Sequence, residues 1–192
     1  RDAFFQTTSI VSTSGFATAD FNLWPMFSKG ILVALMLIGA SSGSTAGGLK
    51  VSRLLILYKA MKIRVLKIVN NNTYRVVKLD GALVDESVVN NTLVYFTIFS
   101  FLQFISFLIL SLDNKDFVTT STAVIACFNN IGPGLGEVGP TGNFAMFSDW
   151  AKWLLSLDML LGRLEIYPLV VFFGRGIRSI TGVRGINIYH RS

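Results

Sequence analysis

The 192-residue chain has one cysteine, Cys127, and one histidine, His190. A single thiol excludes a disulfide framework and a cysteine-based zinc site. A single imidazole beside the C-terminal end removes most histidine-dependent catalysis. Charge is scarce as well: 15% of residues are charged and 52% are hydrophobic, with 16 Phe and a mean hydropathy of +0.57. That balance is too apolar for a soluble domain of this size and excludes a disordered chain. The first residue is Arg1 and no secretory signal precedes the first structured segment, so the chain is expected to be a piece of something longer. What it has in plenty is glycine, 17 residues, and a net charge of +6.

The longest uncharged run, Ser87 to Leu112, has 26 residues. As a helix it covers roughly 39 Å, more than the hydrocarbon core of a bilayer, and predicts a transmembrane helix. A second uncharged run, Gly30 to Leu49, is apolar to Ile38 and then small and polar from Gly39 to Gly48. It predicts a broken helix, which a membrane accepts only where the break is buried in protein or lines a cavity. Beyond it, Val51, Leu54, Leu55, Tyr58, Met61, Val65 and Ile68 recur at helical spacing. Trp150 to Phe173 predicts a further span, in which Asp158, Arg163 and Glu165 must face protein or water. Arg1–Ser12 and Asp116–Phe128 are about half a membrane long and end in polar loops, the pattern of re-entrant half-helices.

Of 17 basic residues, eight lie between Lys50 and Lys78 and four between Arg175 and Arg191. Both groups sit at the same side of the predicted spans, which makes that side cytoplasmic. The positive charge is thus explained by topology, and no nucleic-acid partner is expected. Within this connection, residues 76–84 predict a short hairpin turning at Asp80-Gly81, and Asp85 a helix cap.

Three catalytic motifs fail on context. Gly134, Gly136 and Gly139 match the dinucleotide fingerprint, with Asp158 downstream, but a helix rather than a strand precedes them. Gly39, Ser41 and Gly43 match a nucleophile elbow without its strand–turn–helix setting. Gly43 to Gly48 has the phosphate-loop spacing, but Leu49 stands where the lysine belongs. No metal-ligand cluster or acid–base pair is visible, so no enzyme activity and no cofactor are expected.

The order half-helix, glycine loop, helix occurs twice, at Arg1–Ser12 with Ser12–Phe16 and at Asp116–Phe128 with Asn129–Gly134. Such a loop can aim main-chain carbonyls at an axis and replace an ion's hydration shell. Gly15 and Gly132 would supply the positive φ this needs, although each could also be an ordinary turn glycine.

The stretches Ser12–Asp20, Gly39–Lys50, Asn129–Glu137 and Met159–Glu165 resemble the Trk/Ktr/HKT superfamily of cation transporters, most closely the bacterial TrkH-type potassium uptake subunits. The resemblance implies an all-α integral membrane fold of helix–pore helix–helix repeats around a potassium-channel-like pore. On it, residues 1–69 are the end of a third repeat, 70–86 a cytoplasmic connection, 87–176 the fourth repeat and 177–192 a cytoplasmic tail. The implied K+ filter is Ser12, Thr13, Ser14 and Gly15 with Asn129, Asn130, Ile131 and Gly132. The implied gate is the intramembrane loop with Gly39, Ser41, Ser42, Gly43, Ser44, Thr45, Gly47 and Gly48, faced by Arg163. A homodimer in the lipid of the bacterial inner membrane, docked on a cytosolic nucleotide-binding ring, is implied as well. Ser12 and Ser14 stand where threonine is usual, and Asp158 is a charge outside the family pattern.

Two other classes compete. One is a secondary transporter holding an anionic solute at a half-helix N-terminus. The other is a non-conducting scaffold assembled through small residues at Gly39, Gly43 and Gly47. For Arg163 two roles stay open: a barrier in the pore, or a partner for an acid on a neighbouring helix.

Overall fold

A computed structural model of the chain describes residues 1–39, 47–69, 76–79 and 81–163. Six α-helices lie among them: α1 (Asp2–Val11), α2 (Met26–Leu37), α3 (Val51–Val69), α4 (Glu86–Leu110), α5 (Phe117–Phe128) and α6 (Asp149–Arg163). Strands β1 (Lys78–Leu79) and β2 (Ala82–Leu83) pair antiparallel, Leu79 opposite Ala82. Gly81, at φ +83°, supplies the left-handed residue that a two-residue turn requires.

Helix α4 with the turn that extends it, Glu86–Asp113, is the described helix long and apolar enough to cross a membrane. Its protein-facing stripe is Val89, Thr92, Tyr95, Phe99, Ser106 and Leu110, while Phe101 and Phe104 lie exposed on the other side. A helix apolar all round has no use for water on its outer face, and in a bilayer that face meets lipid. Asp85 takes the N-cap position but its side chain makes no capping bond, so the expected cap is one of position alone.

Helix α5 is the hub. It packs against α6 and α4 through Ala123, Val124, Cys127, Leu110, Ala151 and Leu155, all buried. Phe128 sits edge-on to Phe99 at 5.0 Å, Phe99 stacks on Tyr95 at 5.8 Å, and the Arg53 guanidinium lies 4.3 Å over the Tyr95 ring. That chain of contacts ties α3 to α5 across α4. The two half-helix units meet in a second core of Ile10, Phe21, Leu32, Met36, Ile131 and Leu135.

Helix α2 starts at Met26, four residues before the apolar run suggested, with Pro25 at its N-cap. Lys29 therefore lies inside the helix, where its Nζ reaches the Asn22 carbonyl at 3.1 Å. The helix ends at Leu37, as the broken-helix pattern requires. The third expected span is described from Asp149 to Arg163; Glu165 and the rest of it, together with the 177–192 tail, lie outside the described residues.

Candidate functional site

The half-helices α1 and α5 end in the same turn. After α1, the N–H groups of Ser12, Thr13 and Ser14 donate to the carbonyls of Thr8, Ile10 and Ser9, at 2.9, 3.0 and 3.0 Å. After α5, those of Asn129, Asn130 and Ile131 donate to Ile125, Cys127 and Ala126, at 3.0, 3.1 and 2.9 Å. This is the Schellman closure, which needs a left-handed residue just past the cap. The residues that take it are Thr13 (φ +54°) and Asn130 (φ +55°). Two positions on, Gly15 (φ +73°) and Gly132 (φ +107°) are left-handed as well. Asn suits that conformation; a β-branched Thr does not, and its presence stores about 1–2 kcal/mol of strain.

Among the described residues, no hydrogen bond reaches the carbonyl oxygens of Ser12, Thr13, Ser14 and Gly15, or those of Asn129, Asn130, Ile131 and Gly132. The side chains are occupied elsewhere. Ser12 and Ser14 hydroxyls bond back to Ser9, and the Asn129 amide donates to Ile125 at 2.8 Å. Eight acceptors in two matched loops are thus without a described donor, two of them, on Asn129 and Ile131, facing the backbone of Gly47 and Gly15. The loops touch: a Cβ on Gly15 would overlap the Ile131 carbonyl oxygen, and the nearest atom to a Cβ on Gly132 would be the Gly15 Cα, at 4.0 Å.

Of the sequence-expected gate, Ser41, Ser42, Gly43, Ser44 and Thr45 lie outside the described residues. Both ends of their segment are described. The Gly39 N–H donates to the Leu49 carbonyl at 2.8 Å, and Ile38 and Leu49 form a parallel bridge. Gly47 lies against the second loop, where a Cβ would come within 2.5 Å of the Asn129 carbonyl oxygen. Gly48 (φ +82°) lies against the Asn129 side-chain oxygen. From the other side, the Asn130 amide donates to the Met159 carbonyl of α6 at 3.0 Å. Gly162, next to Arg163, is pressed so closely on the Phe128 carbonyl that a Cβ would overlap it. Asn129 and Asn130 thereby bring together the second loop, the exit of the broken segment and the end of α6. Arg163 itself is exposed.

Two features escaped the sequence reading, and one that it left open is now settled. The left-handed Thr13 and Asn130 carry no glycine to announce them. Asp158, which had to face protein or water, faces protein: it is fully buried and accepts a 2.7 Å hydrogen bond from Ser106 of α4. The repeat also runs on past the loops. Asp20 and Asn143 each cap a one-turn 3-10 helix, accepting from Asn22 N and Ala145 N, both at 2.9 Å, before α2 and α6 begin. Gly39 and Gly162 fall at the same distance from these caps; the chain breaks at the first and stays helical through the second.

Half-helices with matched loops, packed against one long apolar helix, are the arrangement of an all-α membrane protein of the helix–pore helix–helix class, and the family and the solved structure below carry that assignment. The profile of the family TrkH, described as "Cation transport protein", matches residues 1–178, and the chain belongs to that family. It is 36% identical over 173 residues to the Trk system potassium uptake protein TrkH of Escherichia coli (strain K12), covering 90% of this chain and 35% of that protein. It is 33% identical to the Trk system potassium uptake protein TrkG of the same organism over 89% of the chain. The crystal structure of the potassium transporter TrkH from Vibrio parahaemolyticus superposes with a TM-score of 0.81 at 36% identity, covering 89% of this chain and 36% of the other. The chain thus spans about a third of the length of these relatives.

Proposed function

We propose that the chain is the C-terminal part of a potassium-uptake subunit, with the end of a third pore repeat at 1–69 and the fourth at 87–176. The relatives bear the name of potassium uptake proteins, which supports K+ as the transported substrate. The observation that carries the filter reading is the pair of loops with eight carbonyl oxygens that no described donor reaches. Carbonyl dipoles replacing a hydration shell are what a dehydrated monovalent cation needs. Residues 39–48 are the gate, because their exit at Gly47 and Gly48 rests on Asn129 at the base of this filter, the Gly39 end is tied to that exit, and Arg163 follows the helix residue pressed against the end of α5. The remaining repeats complete the ring of loops. The subunit works as a homodimer that crosses the bacterial inner membrane several times and docks on a cytosolic nucleotide-binding ring, and it uses no cofactor.

Rubidium and amino-acid uptake into liposomes holding the full-length subunit test the reading. Rubidium entry that K+ suppresses is expected. Uptake of amino acids without rubidium would replace it with a solute transporter, and neither flux with a scaffold.

A further inference from the structure

The two loops pack on each other, yet among the described residues no main-chain hydrogen bond joins them. Across the apolar core the two units share, one side chain among the described residues hydrogen-bonds one unit to the other. The Asn22 amide donates to the Gly136 carbonyl at 2.9 Å, and its oxygen accepts from the Gly136 N–H at 2.9 Å. An amide side chain that satisfies both main-chain polar groups of one residue sets position and orientation together. Both ends of the link are anchored. Asn22 sits in the turn capped by Asp20, with its carbonyl held by Lys29. Gly136 lies between Leu135, whose N–H donates to Thr122 Oγ1 at 2.9 Å, and Glu137, whose N–H donates to Thr119 Oγ1 at 3.2 Å. Both threonines belong to α5, the half-helix that carries the second loop. Gly139 leaves the room: a Cβ there would overlap the Asn22 Nδ2. The matching turn of the second unit has Ala145 at this point, which can make no such link, so the fastening runs in one direction only.

We infer that Asn22 is a positioning residue for ion selection: its paired hydrogen bonds to Gly136 hold the first loop, Ser12–Gly15, in register with the second, Asn129–Gly132. The inference rests on the filter reading above and names a residue outside the filter that controls it. Asn22 does not touch the ion. It acts through the packing of the two units, in which Gly15 rests on the Ile131 carbonyl.

The test uses the full-length subunit in liposomes and measures how well K+ and Na+ compete with rubidium uptake, together with the melting temperature in detergent. Gly132→Ser serves as a variant within the filter. Asn22→Ala is expected to reduce the K+ over Na+ preference by about threefold to tenfold, the worth of one or two hydrogen bonds, while the protein still assembles. Asn22→Asp, which can accept from the Gly136 N–H but cannot donate to its carbonyl, is expected to fall between. A lower melting temperature with unchanged preference in both Asn22 variants, beside a changed preference in Gly132→Ser, would overturn the positioning role and leave the filter standing. An unchanged preference in all three would overturn the filter and this role with it.

Discussion

Thr13 and Asn130 hold one backbone conformation, φ +54° and +55°, at the same step of two helix closures. The residue types differ in how well they bear it, and Asn130 also bonds the Met159 carbonyl. We expect Asn130→Val to cost about 2–3 kcal/mol, the sum of β-branched strain and a lost hydrogen bond, and Asn130→Gly to cost about 1 kcal/mol. Thermal melting in detergent with both variants distinguishes strain from the bond alone.

Gly15 and Gly132 differ in what surrounds them. A side chain at Gly15 meets the Ile131 carbonyl, whereas a Cβ at Gly132 makes only an ordinary contact with the Gly15 Cα, at 4.0 Å, and suffers from its φ of +107°. Gly15→Ala should therefore damage K+ over Na+ competition more than Gly132→Ala, and Gly132→Asp more than Gly132→Ser. The strain at Gly132 is about 1 kcal/mol or more. Equal, unimpaired competition in all four variants would remove both glycines from ion selection.

The contact of Gly162 with the Phe128 carbonyl leaves no volume for a methyl group. Gly162→Ala is expected to push α6 off α5 and to destabilise by about 1–3 kcal/mol, as overpacking does. Melting at no lower temperature than the parent protein would show that the helices close with room to spare.

Ser106 and Asp158 join α4 to α6 inside the membrane fold. Ser106→Ala and Asp158→Ala should show a coupling of about 0.6–1.7 kcal/mol in a double-mutant cycle, the range for hydrogen bonds within membranes. Strict additivity would mean that the bond contributes nothing.

Arg163 follows the tightest helix contact in the site and is exposed beside it. As a barrier, it should yield a higher rubidium flux per folded protein on change to Ala, and so should a deletion within 41–46. A loss of both folding and flux in Arg163→Ala would mark it as half of a structural ion pair and retire the barrier.

The helices were legible because length and hydropathy act over many residues. The run Ser87–Leu112 nearly coincides with α4, and two half-length apolar segments are α1 and α5. The start of α2 was hidden by Lys29, whose charge ended the apolar run; Pro25, a residue suited to a helix start, was the better signal. Asn22 gave no local sign, because one asparagine in a polar loop looks like any other until its partner, far along the chain, is folded beside it. Asp158 was visible as a charge, but its direction depends on how α6 is rotated against α4, which only packing decides.

The Gly39–Leu49 hydrogen bond ties the neck of the segment between α2 and α3. A segment whose ends already meet carries little closure penalty, and its length adds only slowly to that penalty. The neck thus sets the spacing of α2 and α3 by itself: Gly39 and Leu49, which tie it, fix where one helix ends and the other begins.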